Sequence, residues 1–166
     1  IESKIKQPNL ILEQLNSHIK SSMENKGSLE SRDGMDMAFC KWEKSNNLLT
    51  FSGAKNPLIL VRKGELFEYK GDDRPVGYIT GKNIPFTQTT LALEEGDMLY
   101  MYSDGYSDQF GGVKGKKFKS SNFKKFLLNI SNFPIDEQYK LIQAEYNQWK
   151  GNYEQIDDVC VMGIRV

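Results

Sequence analysis

Apolar positions change period along the chain. At 9–23, Ile11, Leu12, Leu15, Ile19 and Met23 recur at spacings of three and four, one stripe on a surface helix introduced by Pro8 and Asn9. From 35 to 69 the pattern shortens to β-rich runs at 35–43, 48–52, 57–62 and 65–69. Ser45-Asn46-Asn47, Pro57 and Lys63-Gly64 separate them, which predicts antiparallel hairpins. A polar, glycine-rich stretch at 71–83 leads to two more strands, 86–93 and 98–103, divided by the turn Glu94-Glu95-Gly96-Asp97. Helical spacing then returns. Phe123, Phe126, Leu127 and Ile130 predict a helix capped by Ser120 or Ser121, and Ile135, Tyr139, Ile142, Tyr146 and Trp149 predict another after Pro134. Residues 158–166 read as a last strand, apolar on both faces, which predicts a place inside a sheet.

Strands dominate the middle and helices the flanks, so the expected class is α+β, with helices covering antiparallel sheets that pack on each other. A chain of 166 residues suits one domain over 1–166. The hydrophobic share of 39% and charged share of 27% are those of an ordinary soluble protein, and 22 basic residues cancel 22 acidic ones. That balance argues against nucleic acid as a partner, and the one basic cluster, 114–125, reads as a solvated loop and helix start. The longest strongly apolar run, 58–61, is far below the roughly 20 residues a membrane span needs, so no membrane contact by this segment is expected. Cys40 and Cys160 are far apart, lack CxxC spacing and sit among apolar residues. They read as reduced core thiols, which implies a cytoplasmic setting. The first residue is Ile, so the natural N-terminus is expected upstream.

Two acidic clusters stand where the chain changes direction. Tyr102-Ser103-Asp104-Gly105 closes one strand, and Ile156-Asp157-Asp158-Val159 opens the last. Carboxylates at strand ends suit a hard cation such as Mg²⁺ or Mn²⁺, which prefers oxygen ligands. Two such ions roughly 3.5 to 4 Å apart orient a water for in-line attack on a phosphate. Taken singly, each cluster is an ordinary turn sequence. Asp33, Asp36, Asp72, Asp73 and Asp97 are scattered among turns and hairpin starts. The only histidine, His18, reads as an exposed helix residue, and the glycine- and lysine-rich run at 111–117 lacks the spacing of a phosphate-binding loop.

Taken in order, these segments resemble the metal-dependent serine/threonine protein phosphatases (PPM type), in their sporulation stage II protein E branch. The resemblance runs from Asp33 to the C-terminus. It rests on Leu49-Thr50-Phe51-Ser52-Gly53-Ala54-Lys55-Asn56-Pro57, on Gly96-Asp97-Met98-Leu99-Tyr100-Met101-Tyr102-Ser103-Asp104-Gly105-Tyr106-Ser107-Asp108, and on Gln155-Ile156-Asp157-Asp158-Val159-Cys160-Val161. It implies a sandwich of antiparallel β-sheets flanked by helices, with Asp104 and Asp157 as metal ligands. Asp108, Asp158 and Gly105 become auxiliary groups around them, and Lys55, standing where the family often has His, becomes a phosphate contact. The implied cofactors are two Mn²⁺ or Mg²⁺ ions per complete site, and a metal-bound water is the nucleophile.

The implied reaction is hydrolysis of phosphoserine or phosphothreonine on a regulatory protein of the anti-sigma-antagonist kind, by the output domain of a larger bacterial signalling protein. The family's first acidic motif, the Gly-Asp strand that bridges the metals, has no counterpart here. Asp33-Gly34 precedes a hairpin that matches a later family strand. An N-terminally truncated domain is therefore expected, nearly inactive on its own, and the alternative is a non-catalytic phosphatase-like binding module. Cys160 stands where the family often has Thr. Apolar edges left by an absent strand and helix lead to an expected homodimer or strand exchange.

Overall fold

The computed structural model describes residues 6–24, 34–77 and 84–166. In chain order the elements are α1 (Pro8–Glu24), β1 (Met37–Glu43), β2 (Leu48–Ala54), β3 (Leu58–Arg62), β4 (Glu65–Tyr69), β5 (Thr89–Ala92), β6 (Met98–Tyr102), α2 (Gly105–Asp108), β7 (Phe110–Gly111), β8 (Lys116–Lys117), α3 (Ser120–Ile130), α4 (Ile135–Lys150) and β9 (Val161–Arg165). The expected α+β class is what this order builds. Asp33, positions 78–83 of the polar stretch and the side chain of Met23 lie outside the described residues. The chain divides into two compact units, Ile1–Leu58 with Tyr69–Leu93, and Ile59–Glu68 with Glu94–Val166.

The first unit carries the sheet β1-β2-β5. Both pairings are antiparallel, with Met37 opposite Ala54 and Thr50 opposite Thr90. The apolar stripe of α1 is buried as its spacing predicts: Leu12 joins Ala54, Val76 and Phe86 in a core flanked by Leu15 and Ile19. Polar groups fix the helix in place. Asn16 accepts the Gly77 N–H at 2.9 Å, and Arg74 pairs with Glu13 at 2.7 Å while lying over the Phe86 ring. The strand expected at 86–93 is shorter, because Asp72 takes the Thr87 N–H at 2.8 Å and Phe86 turns into the core. Cys40 lies on β1, where burial pushes its thiol up to about 12, so it is neutral at physiological pH.

The second unit carries the sheet β4-β3-β6-β9. Ile59, Val61, Met98, Tyr100 and Tyr102 form a core with Phe123, Leu127 and Ile130 of α3, and Ile142 and Tyr146 of α4 pack against it. Aromatic rings organise its centre, with Tyr106 stacked on Phe123 at 4.0 Å and Tyr102 edge-on to Phe123 at 4.9 Å. Such pairs add about 1 kcal/mol each to the burial itself. Gln109 is fully buried. It donates to the Glu154 carbonyl at 2.8 Å and accepts from Tyr146, so it ties α2 to the segment after α4.

Four expectations need correction in this unit. Ser120 is the first residue of α3, and neither it nor Ser121 is the cap; that position is Lys119, held at φ 77° with no side-chain cap bond. The glycine- and lysine-rich run expected as a loop contains the small β7–β8 hairpin. β9 stands at the end of its sheet rather than inside it, with Met162 51% exposed, because among the described residues only β6 pairs with it. Cys160 is exposed and therefore not a core thiol. It precedes β9, where its N–H goes to the Ser103 hydroxyl at 2.9 Å. No described helix is long and apolar enough to cross a membrane.

Candidate functional site

β6 ends at Tyr102, and the chain turns at once into the single-turn helix α2. Asp104 occupies the position before that helix, with φ −69° and ψ −18°. Its carbonyl accepts the Asp108 N–H at 2.9 Å and the Ser107 hydroxyl at 3.0 Å. Its carboxylate makes no capping bond and is exposed, so the backbone holds the residue while the charged group points to solvent.

The second acidic cluster folds directly against this turn. A Cβ built on Gly105 would lie 2.4 Å from the Asp158 carbonyl oxygen and 3.4 Å from the Asp157 carbonyl carbon. Glycine is needed here for close backbone approach. Ser103 completes the clamp: its hydroxyl donates to the Asp158 carbonyl at 2.8 Å, and its N–H donates to the Cys160 carbonyl at 3.0 Å. Asp157 is steadied by its own neighbours, accepting the Asp158 N–H at 2.7 Å, while Gln155 donates to its carbonyl at 2.8 Å. Asp104, Asp157 and Asp158 are all exposed. Two stretches remote in sequence thus present acidic residues from backbones in contact.

The remaining candidates stand differently. Asp108 is half-buried and paired with Lys117 at 2.7 Å, which anchors α2 to the β7–β8 hairpin. Lys55 belongs to the first unit and turns through φ 65° after β2. Its N–H donates to the Asp72 carbonyl at 2.9 Å and its ammonium pairs with Asp73. The side-chain bond between them holds Lys55 above, and Asp73 below, their ordinary pKa ranges. His18 is exposed.

Exposed carboxylates backed by ordered carbonyls are the donor chemistry a hard divalent cation takes. Among the described residues, however, no group of three or more His, Cys, Asp or Glu side chains gathers closely enough to hold a metal ion. Asp104, Asp157 and Asp158 therefore do not by themselves form such a group. Sequence reasoning missed the parts played by Ser103 and Gln155. Ser103 sits inside the quoted acidic string, but its bridging role depends on where Asp158 arrives from the far end of the chain.

This arrangement of sheets, helices and acidic turn defines the PP2C-type protein phosphatase fold. The SiaA-PP2C domain of Pseudomonas aeruginosa superposes with a TM-score of 0.85 at 26% identity, covering 96% of this chain and 61% of that one. The chain thus spans about three fifths of that domain. The phosphatase domain of the cell fate determinant SpoIIE from Bacillus subtilis superposes with a TM-score of 0.60 at 15% identity, covering 99% of this chain and 76% of that one. The catalytic domain of the serine/threonine protein phosphatase PstP, in complex with two manganese ions, gives 0.60 at 20% identity, covering 88% of this chain and 64% of that one. The search of curated protein sequences returned no match. Residues 2–166 match the Stage II sporulation protein E (SpoIIE) family, and the chain belongs to it.

Proposed function

We propose that this chain supplies Asp104 and Asp157 to the metal centre of a phosphoserine/phosphothreonine protein phosphatase. One contact carries the proposal: Gly105 lies so close to the Asp157-Asp158 backbone that the two acidic turns share one location. Divalent cations such as Mn²⁺ or Mg²⁺, when bound, would supply an activated water and neutralise phosphate charge. The chain's own residues do the positioning. Ser103 and Gln155 fix the carbonyls behind the acidic side chains, and Asp158 adds a further exposed carboxylate. The substrate class is a phosphorylated regulatory protein, the setting cytoplasmic, and the phosphatase the output part of a larger signalling protein.

Mn²⁺ titration followed by calorimetry, with aryl phosphate hydrolysis in parallel, tests the assignment. The 166-residue chain should bind Mn²⁺ weakly and turn over poorly, and Asp104→Asn or Asp157→Asn should remove the residual binding. Tight binding untouched by both substitutions would place the metal elsewhere. A second reading, a non-catalytic phosphatase-like module, is favoured by the lack of a three-ligand group among the described residues. It predicts no metal dependence in any longer form of the protein.

A further inference from the structure

We propose that the start of α3 is an anion site distinct from the acidic turns, seating a phosphate-type oxyanion on the Ser120 and Ser121 N–H groups, the Ser120 hydroxyl and the Lys119 ammonium. The backbone leaves these donors free. The Lys119 carbonyl accepts the Asn122 and Phe123 N–H groups at 3.0 and 3.1 Å, so the helix opens with two N–H groups that have no partner within it. No side chain caps them, and the first turn carries no acidic residue. Lys119 stands at φ 77°, and like Ser120 and Ser121 it is exposed. Two aligned N–H groups, the positive end of an 11-residue helix and an adjacent ammonium together favour a compact multivalent anion.

A buried hydroxyl marks the same place independently. Tyr102 is 7% exposed, and its phenolic oxygen is enclosed without a hydrogen-bond partner of good geometry. An enclosed donor left unmet is costly and calls for a reason. Its ring lies edge-on to Phe123 at 4.9 Å, in the first turn of α3. Burial raises the pKa of the phenol and the Ser120 hydroxyl beside it lowers it, so Tyr102 is a neutral donor facing the first residue of the helix. An anion gives that donor its role. The Tyr102 O–H turns to the Ser120 oxygen, and the Ser120 O–H turns outward to an oxygen of the anion.

The surrounding charge agrees. Glu68, the carboxylate whose charge the phenol feels, is taken by Lys124 at 2.7 Å, and Asp108 is taken by Lys117 at 2.7 Å. Lys116 and Lys125, exposed before and after the helix start, add to the positive side. The site is also joined to the first acidic turn. The Lys119 N–H donates to the Ser107 carbonyl at 2.7 Å, and the Ser107 hydroxyl donates to the Asp104 carbonyl at 3.0 Å. An anion at α3 therefore sits close to Asp104 along the hydrogen-bond network, yet needs neither its carboxylate nor a metal.

Amide chemical shifts of the 166-residue chain, followed while inorganic phosphate is titrated at constant ionic strength without added metal, test the site. The Ser120 and Ser121 amides should move most and saturate together. Lys119→Gly, which suits the positive φ, should weaken binding about tenfold by removing the charge. Tyr102→Phe should weaken it about fivefold while leaving the urea midpoint unchanged or higher, because it deletes an unmet hydroxyl. A tyrosine that only supports the fold would move the midpoint and not the anion affinity. O-Phosphoserine as a second probe separates the sources: tighter binding than inorganic phosphate assigns the site to a phosphorylated side chain, and equal or weaker binding assigns it to free phosphate. Asp104→Asn should leave the titration unchanged, so failure here is distinct from failure of the metal-centre assignment. Shifts spread over the surface lysines without saturation overturn the proposal, as does an affinity that survives both Lys119→Gly and Tyr102→Phe.

Discussion

The Ser103 hydroxyl stands between two backbone groups at the entry to the last strand, donating to the Asp158 carbonyl at 2.8 Å and accepting the Cys160 N–H at 2.9 Å. One side chain thereby couples the end of β6 to the acidic turn that precedes β9. Ser103→Ala removes both bonds and leaves a backbone donor and an acceptor to find water. Neutral bonds of this kind are worth about 1 kcal/mol each, so the expected loss is about 1 to 2 kcal/mol. Urea denaturation reads the stability, and the hydrogen exchange of the Cys160 amide should accelerate with it. An unchanged exchange rate would show that Ser103 does not hold the turn.

Gly105 gives a sharper test, because the obstacle to a side chain there is backbone. The Asp158 carbonyl oxygen at 2.4 Å from a built Cβ cannot rotate away as a flexible side chain could. Gly105→Ala should cost about 2 to 3 kcal/mol through forced separation of the two turns. Gly96 supplies the control: it has φ 88° with nothing within 4 Å, so Gly96→Ala meets only the left-handed backbone penalty, about 1 kcal/mol. If the two substitutions cost the same by chemical denaturation, the close approach at Gly105 is not what constrains that position.

Much of this architecture was legible from local pattern. The stripe through Leu12, Leu15 and Ile19 buries as spacing predicts, and the hairpins around Asn47 and Lys63-Gly64 turn where positive φ is taken up, at 52° for Asn47 and 51° for Lys63. β9 was misjudged for a physical reason. Residues apolar on both faces record where burial is favoured, but which neighbour provides it depends on pairing, and here only β6 does among the described residues. Cys160 follows from the same error, since it sits just before that edge. The acidic turns were visible as strings, and the clamp between them was not, because Ser103 and Asp158 meet only through the antiparallel return of β9 against β6.

Asp97 is 1% exposed and faces Arg62, whose Nε donates to one carboxylate oxygen at 2.8 Å while a terminal nitrogen donates to the other. Burial disfavours its charge, yet the guanidinium and the Glu94 N–H outweigh burial and hold the carboxyl below its ordinary range. A depressed folded pKa stabilises the protein above the unfolded value, about 3.9, and that stability is lost as pH falls through the folded pKa. Asp97→Asn leaves Arg62 without its bidentate partner and should cost about 3 kcal/mol at pH 7. The difference from wild type should narrow below about pH 4, as the wild-type carboxyl protonates. Denaturation curves at pH 7 and in the acid range test the sign, and a gap that widens in acid would contradict it.

Gln138 is buried at the head of α4 and answers several polar groups at once. Its carbonyl accepts the Tyr100 hydroxyl at 2.7 Å, and its amide donates to the Ser131 and Phe133 carbonyls at 3.1 and 2.8 Å. Burial raises the Tyr100 pKa, so the phenol stays a neutral donor at physiological pH. Gln138→Met keeps the volume but strands the buried hydroxyl, and should cost about 2 to 3 kcal/mol. Arg165 still reaches both carbonyls in that variant, so the orphaned phenol is the larger part of the loss. Tyr100→Phe should then cost about 1 kcal/mol in the wild type but recover about 1 kcal/mol or more in the Gln138→Met background, where it removes the stranded hydroxyl. A double-mutant cycle by urea denaturation measures that coupling. Strict additivity would mean that each residue acts through apolar packing alone, and that the bond between strand β6 and helix α4 contributes nothing to their association.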